Sequence, residues 1–117
     1  MTYISGFLTP VENARKDDYI QSAREAWALF KEYGAVAQME AWGDNVPEGK
    51  VTDFWRAVAL KEGETVCLGW IVWPDKATAD ACEASMDRDD RWQQMSMPFD
   101  GQRMIFGGFQ AVLEQTA

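Results

Sequence analysis

The chain has 117 residues, 47% of them hydrophobic, 26% charged and 13% aromatic, which suits one compact domain and excludes both a disordered and a multidomain chain. Eleven basic residues stand against 19 acidic ones, a formal charge of −8, so phosphate backbones and anionic membranes are repelled and nucleic acid is not an expected partner. The absence of histidine excludes Ser-His-Asp and Cys-His catalysis, His-ligated haem and the usual zinc sites.

Met1 to Phe7 carries neither a basic segment nor a long apolar run, and no stretch approaches the 18 apolar residues that span a bilayer. A cytoplasmic location without membrane attachment is expected. Cys67 and Cys82 lack a Cys-x-x-Cys pattern and read as reduced, partly buried thiols.

Tyr3 to Leu8 reads as a first strand, with faces Tyr3/Ser5/Phe7 and Ile4/Gly6/Leu8, stopped by Pro10. A helix is expected from Asn13, as N-cap, to Tyr33, with Gly34 as C-cap. Tyr19, Ile20, Ala23, Ala26, Trp27, Phe30 and Tyr33 make its apolar stripe. Ala35 to Trp42 reads as a second strand. Its Ala35/Ala37/Met39/Ala41 face suits close helix packing, and its Val36/Gln38/Glu40/Trp42 face suits a cavity lining.

Residues 43 to 64 form a long connection opened by Gly43-Asp44-Asn45 and Pro47-Glu48-Gly49, with one helical turn over Thr52 to Val58. Such a connection is either a functional loop or a flap over core edges. Thr65 to Trp73 is apolar at nearly every position, as a central strand is. A second helix is expected over Asp75 to Asp87, burying Ala77, Ala81, Cys82, Ala84 and Met86. Asp87-Arg88-Asp89-Asp90-Arg91 reads as a solvated helix end. Met104 to Val112 closes the set as a strand in which Gly107-Gly108 marks a bulge or a close backbone approach.

The order β-α-β-β-α-β is the ferredoxin-like arrangement: an α+β fold, one domain over 1–117, with a four-stranded antiparallel sheet and both helices on one face. The other face, rich in Tyr, Phe, Trp and Met, exposes more apolar surface than a monomer tolerates, so a homodimer packed through it is expected.

Glu40, beside Gln38 and Trp42, is the candidate catalytic residue, because a carboxylate desolvated in an aromatic cavity can act as a general base. The competing and favoured reading pairs Glu40 with Arg103 or Arg56 in a structural ion pair. Asp100 and Arg103 flank the turn into the last strand. A turn-closing Asp braced by Arg is the simpler account, and an anion clamp by the Arg103 fork the functional one. Trp42, Trp55, Trp70, Trp73 and Trp92 can stack on a planar ligand, although buried aromatics more often form core or interface. Gln38, Glu40, Trp42 and Arg103 are therefore the candidate ligand-binding residues. No metal site and no cofactor are expected.

Met97-Pro98-Phe99-Asp100-Gly101-Gln102-Arg103-Met104-Ile105-Phe106-Gly107-Gly108-Phe109 closely resembles the signature of the YbaA-like family, a bacterial family of unknown function in the dimeric α/β-barrel superfamily. Gly6-Phe7, Pro10-Val11, Gly34-Ala35, Gly43-Asp44, Gly49-Lys50-Val51-Thr52 and Trp70-Ile71-Val72 extend the resemblance over nearly the whole chain. It departs at Thr78-Ala79, where that pattern has Arg or His. The resemblance implies a ferredoxin-like protomer and a dimer whose two sheets face each other as a barrel. Superfamily relatives include cofactor-independent monooxygenases, isomerase-like enzymes and ligand-binding domains, so fold alone does not settle function. The functional expectation is a small, partly apolar molecule bound or transformed without metal in the barrel cavity, monooxygenase- or isomerase-like. The alternative is a non-catalytic dimerisation or ligand-sensing module.

Overall fold

The computed structural model describes residues 1–117. Its elements are β1 (Tyr3–Glu12), α1 (Lys16–Glu32), β2 (Ala37–Trp42), the one-turn α2 (Phe54–Ala57), β3 (Glu64–Trp73), α3 (Lys76–Ser85), the one-turn α4 (Asp90–Gln93) and β4 (Ile105–Gln110). The strands form one sheet in the order β2-β3-β1-β4, every neighbouring pair antiparallel. This is the expected ferredoxin-like α+β fold, with β3 and β1 central.

The registers place Tyr3, Ser5 and Phe7 on the same face as Trp73, Ile71 and Gly69. That face carries the helices: Ile71 and Trp73 pack with Ala35 and with Ala79 and Cys82 of α3, flanked by Trp27, Phe30 and Tyr33. A second cluster joins Val11 and Cys67 to Tyr19 of α1. Both cysteines are buried free thiols, as expected. Trp73 donates its indole N–H to Ser5 Oγ at 3.0 Å, satisfying the one polar atom of a large core side chain. Trp92 leans on Phe30, with ring centroids 4.9 Å apart, so Trp73 and Trp92 serve the core.

Several sequence expectations need correcting. β1 does not stop at Pro10 but pairs with β3 as far as Glu12. β4 reaches only to Leu8, so beyond it β1 is paired on one side alone, where proline is tolerated. Asn13 does not cap α1: it opens a 3-10 turn over Asn13–Arg15, and its side chain accepts from Thr65 Oγ1 at 2.5 Å. Gly34 does end the helical segment, at φ +104°, a conformation natural to glycine. α3 buries Ala79, Cys82 and Ser85, leaving Ala77, Ala81, Ala84 and Met86 exposed. A serine belongs inside because Ser85 Oγ accepts the Trp92 indole N–H at 2.9 Å. β4 runs over Ile105–Gln110 with unbroken pairing to β1, so Gly107-Gly108 is not a bulge. It is a close approach: a Cβ on Gly108 would strike the Tyr3 ring.

The largest correction concerns β2. Gln38 lies opposite Ile71 and Glu40 opposite Gly69, so Gln38, Glu40 and Trp42 point toward the helices, while Ala37, Met39 and Ala41 face away. Alternation defines two faces without saying which is covered. The long polar side chains reach up to α1, and the small ones join the helix-free face. Where the four strands run side by side, that face carries no charged side chain and exposes Met39 (49%), Leu68 (41%), Ile105 (44%) and Phe109 (60%).

Candidate functional site

α1 and β2 meet in three successive rungs. Lys16 Nζ lies 5.0 Å from the centre of the Trp42 ring, Tyr19 donates its hydroxyl to Glu40 Oε1, and Gln38 Nε2 donates to the Ala23 carbonyl at 3.2 Å. The match follows from geometry: three or four helical residues advance about 4.5 to 6 Å, and two strand residues about 6.6 Å.

The middle rung is the candidate site. Glu40 Oε1 also faces the Cys67 thiol, 3.5 Å away on β3, and Oε2 lies over Gly69, where any Cβ would collide with it and with the Phe7 ring. Phe99, from the segment ahead of β4, packs edge-on against Tyr19 at 5.7 Å. Both donors to Glu40 are neutral, and none of the chain's ion pairs includes it. The favoured ion-pair reading is thus overturned. Arg56 pairs with Glu48 and Asp53 on the connecting loop, and Arg103 pairs with Glu64 and Asp100.

A carboxylate removed from water without a counter-charge resists ionisation. Burial raises the Glu40 carboxyl above its ordinary range, and the bonds from Tyr19 and Cys67 offset part of that rise. Burial, and then the charge of Glu40, raise the Tyr19 hydroxyl, and the same two causes push the Cys67 thiol up to about 12. Both donors are aimed at Oε1, and Oε2 has no hydrogen-bond partner in the chain. Gln38 Oε1, nearby, is buried without a partner, and the Thr9 hydroxyl, beside that of Tyr19, offsets part of the rise in the Tyr19 pKa. The cluster can accept hydrogen bonds, carry a proton and hand it over.

Arg103 lies elsewhere. Its fork meets Glu64 with both contacts at 2.7 Å, its Nε meets Asp100 at 2.8 Å, and Nη1 also donates to the Ala59 carbonyl at 3.1 Å. Asp100 accepts from the Gln102 N–H, as a turn-closing Asp should. The fork that an anion clamp needs is engaged in tying β3, the long connection and the last turn together. It borders an open depression of about 520 Å³ lined also by Glu12, Lys61 and Glu62, well away from Glu40. Trp55 sits exposed on α2, and Trp70 lies on the helix-free face. The acidic run at residues 87 to 91 is a clamp rather than a free helix end: Asp89 caps α4 and accepts from Tyr33, and Arg91 bridges Asp89 to Glu32. No group of His, Cys, Asp and Glu side chains forms a metal site.

The structure thus brings Gln38, Glu40 and Trp42 together on one seam and leaves Arg103 out. Tyr19, Cys67 and Thr9 were not singled out from the sequence as site residues. The available signal was the pair of tyrosine hydroxyls, Tyr19 and Tyr33, in the apolar helix stripe, each of which needs a partner when buried.

A family model described as "Protein of unknown function (DUF1428)" matches residues 2–101. The uncharacterized protein YbaA of Escherichia coli strain K12 is 44% identical over 117 residues, covering 98% of this chain and all of that protein, and YbaA of Shigella flexneri shows the same figures. A crystal structure described as a dimeric ferredoxin-like protein, from an uncultured marine organism, superposes with a TM-score of 0.62 at 10% identity over the whole of both chains. A second of the same description gives 0.56 at 12% identity, over 98% of this chain and all of that one. At such identities these two establish the fold alone. The full-length match to YbaA agrees with the resemblance carried by Met97 to Phe109, and the chain belongs to the family described as protein of unknown function DUF1428.

Proposed function

We propose that this protein is a homodimer, cytoplasmic and of bacterial origin, that binds a small, partly apolar molecule beside Glu40 and exchanges a proton with it, without a metal. The observation that supports this most is a half-buried carboxyl held by two neutral donors and no cation, with its second oxygen free of any partner in the chain. A purely structural carboxylate gains little from that arrangement, whereas an acid–base group needs a pKa brought toward neutrality. The site lies in the seam between α1 and β2 rather than between two facing sheets. The reaction class that suits it is isomerase-like proton transfer, Glu40 serving as the acid–base group and Tyr19 as its positioning partner. A thermal-shift screen of small aromatic acids, amines and quinones tests the proposal. Compounds that stabilise the wild type and lose their effect on Glu40→Gln support it. Compounds acting equally on both, or none acting at all, contradict it.

The second reading is a module whose work is self-association, favoured by the apolar helix-free face. A second copy is the fitting occupant, because pairing like faces buries Met39, Leu68, Ile105 and Phe109 on both partners at once. The two solved relatives described as dimeric support it by analogy of fold.

A further inference from the structure

Thr9 lies on the helix-bearing face of β1, opposite Cys67 in the register, and is 1% exposed. A hydroxyl buried there costs stability unless it is bonded, and valine would fill nearly the same space without that cost. Its Oγ1 lies beside the Tyr19 hydroxyl and has no other partner in the chain. The donor inventory sets the direction of the bonds. The Glu40 oxygen accepts, so the single phenolic proton of Tyr19 goes to Oε1 and the phenolic oxygen keeps its lone pairs. The Thr9 proton therefore has the Tyr19 oxygen as its acceptor. Cys67, between Thr9 and Trp42 in one row across the sheet, supplies the second donor to Oε1. Tyr19 and Cys67 are the titratable groups bonded to Glu40, β1 adds Thr9 and the Phe7 ring, and the Lys16 ammonium of α1 lies over Trp42.

We propose that Thr9 is a positioning residue for Glu40 and acts through Tyr19, its hydroxyl fixing the rotation of the phenolic O–H so that the proton points at Glu40 Oε1. This rests on the reading of Glu40 as the acid–base group and names the residue that sets the state of its partner. A phenolic oxygen that accepts a hydrogen bond donates a stronger one, because successive bonds polarise one another in a low-dielectric interior. Thr9 thereby strengthens the bond that Tyr19 gives to the ionised carboxyl, without bonding Glu40 itself.

The test is a pH titration of the Glu40 carboxyl by NMR of isotope-labelled glutamate, its signal being the one absent from Glu40→Gln. It compares wild type with Thr9→Val, Thr9→Ser, Tyr19→Phe and the double variant Thr9→Val/Tyr19→Phe. Thr9→Val is expected to raise the Glu40 midpoint by on the order of half a pH unit, part of the worth of one hydrogen bond. Thr9→Ser, which keeps the hydroxyl, should titrate as wild type. Tyr19→Phe should raise the midpoint further, and adding Thr9→Val to it should change nothing more, because the effect of Thr9 passes through the phenol. An unmoved midpoint in Thr9→Val, an equal shift in Thr9→Ser, or a shift that persists in the Tyr19→Phe background overturns the role of Thr9 while Glu40 and Tyr19 keep theirs. A wild-type Glu40 that titrates at the ordinary value near 4.5 and is indifferent to Tyr19→Phe overturns both.

Discussion

Glu40 decides between a structural and a chemical account of the seam, and its substitution separates them. Breaking a buried ion pair costs on the order of 3 to 5 kcal/mol, but no such pair exists here. Glu40→Gln, close to isosteric with the protonated acid, is therefore expected to keep stability within about 1 kcal/mol of wild type or to raise it. The effect should depend on pH. The folded chain holds the Glu40 proton more tightly than the unfolded chain, whose value is near 4.5. That contribution is complete below about the unfolded value and is lost as pH rises through the raised folded one. Tyr19 and Cys67, both raised, stay neutral across this window. The stability of Glu40→Gln relative to wild type should thus be higher at pH 8 than at pH 4, measured by urea unfolding at fixed protein concentration. The reverse trend would show that the carboxylate is stabilised as an anion. Tyr19→Phe removes a donor and should cost about 1 kcal/mol in the same assay, with Tyr19→Ala costing several times more through lost packing. The sequence singled out Gln38, Glu40 and Trp42 as a set because their parity is legible, but it could not reveal Tyr19 and Cys67, which reach Glu40 from another helix and another strand.

Among the elements, the strands and α1 were legible because their periods are clean, and the errors fall where parity or helical phase was ambiguous. In α3 the alanines at 77, 81 and 84 made an attractive inner face, yet Ala79 and Ser85 are buried beside Cys82, Ser85 because Trp92 needs an acceptor there. Ser85→Ala should cost about 1 kcal/mol by leaving the indole N–H unpartnered, while Ala84→Ser on the exposed side should change stability by a few tenths at most. Equal effects in urea unfolding would return α3 to the orientation read from sequence. Gly69 is the other sensitive point. It leaves room beneath Glu40 Oε2 and the Phe7 ring, so Gly69→Ala should cost on the order of 1 to 3 kcal/mol by overpacking. Little change would mean that the Glu40 carboxylate does not lie against β3. The long connection was recognised as a unit, but its anchoring through the Ala59 carbonyl to Arg103 was invisible in the sequence, since it joins residues 44 positions apart.

For the whole molecule, charge and surface pull in opposite directions. The acidic surface should keep phosphates away even in 50 mM salt, where counterion release most favours binding, so a gel-shift panel of RNAs should show no complex tighter than about micromolar. A tighter complex would show a local basic surface outweighing the net charge. The apolar helix-free face, by contrast, is suited to a second copy of the chain, and self-association through it is the central claim about the molecule. Light scattering after gel filtration tests it most directly, on wild type and on Leu68→Glu, which places a charge in the middle of that face. A wild-type mass near twice the 13.3 kDa of the chain, falling to 13.3 kDa in the variant, is the expected result. A wild-type particle of 13.3 kDa at micromolar concentration, or a dimer unaffected by Leu68→Glu, would contradict it.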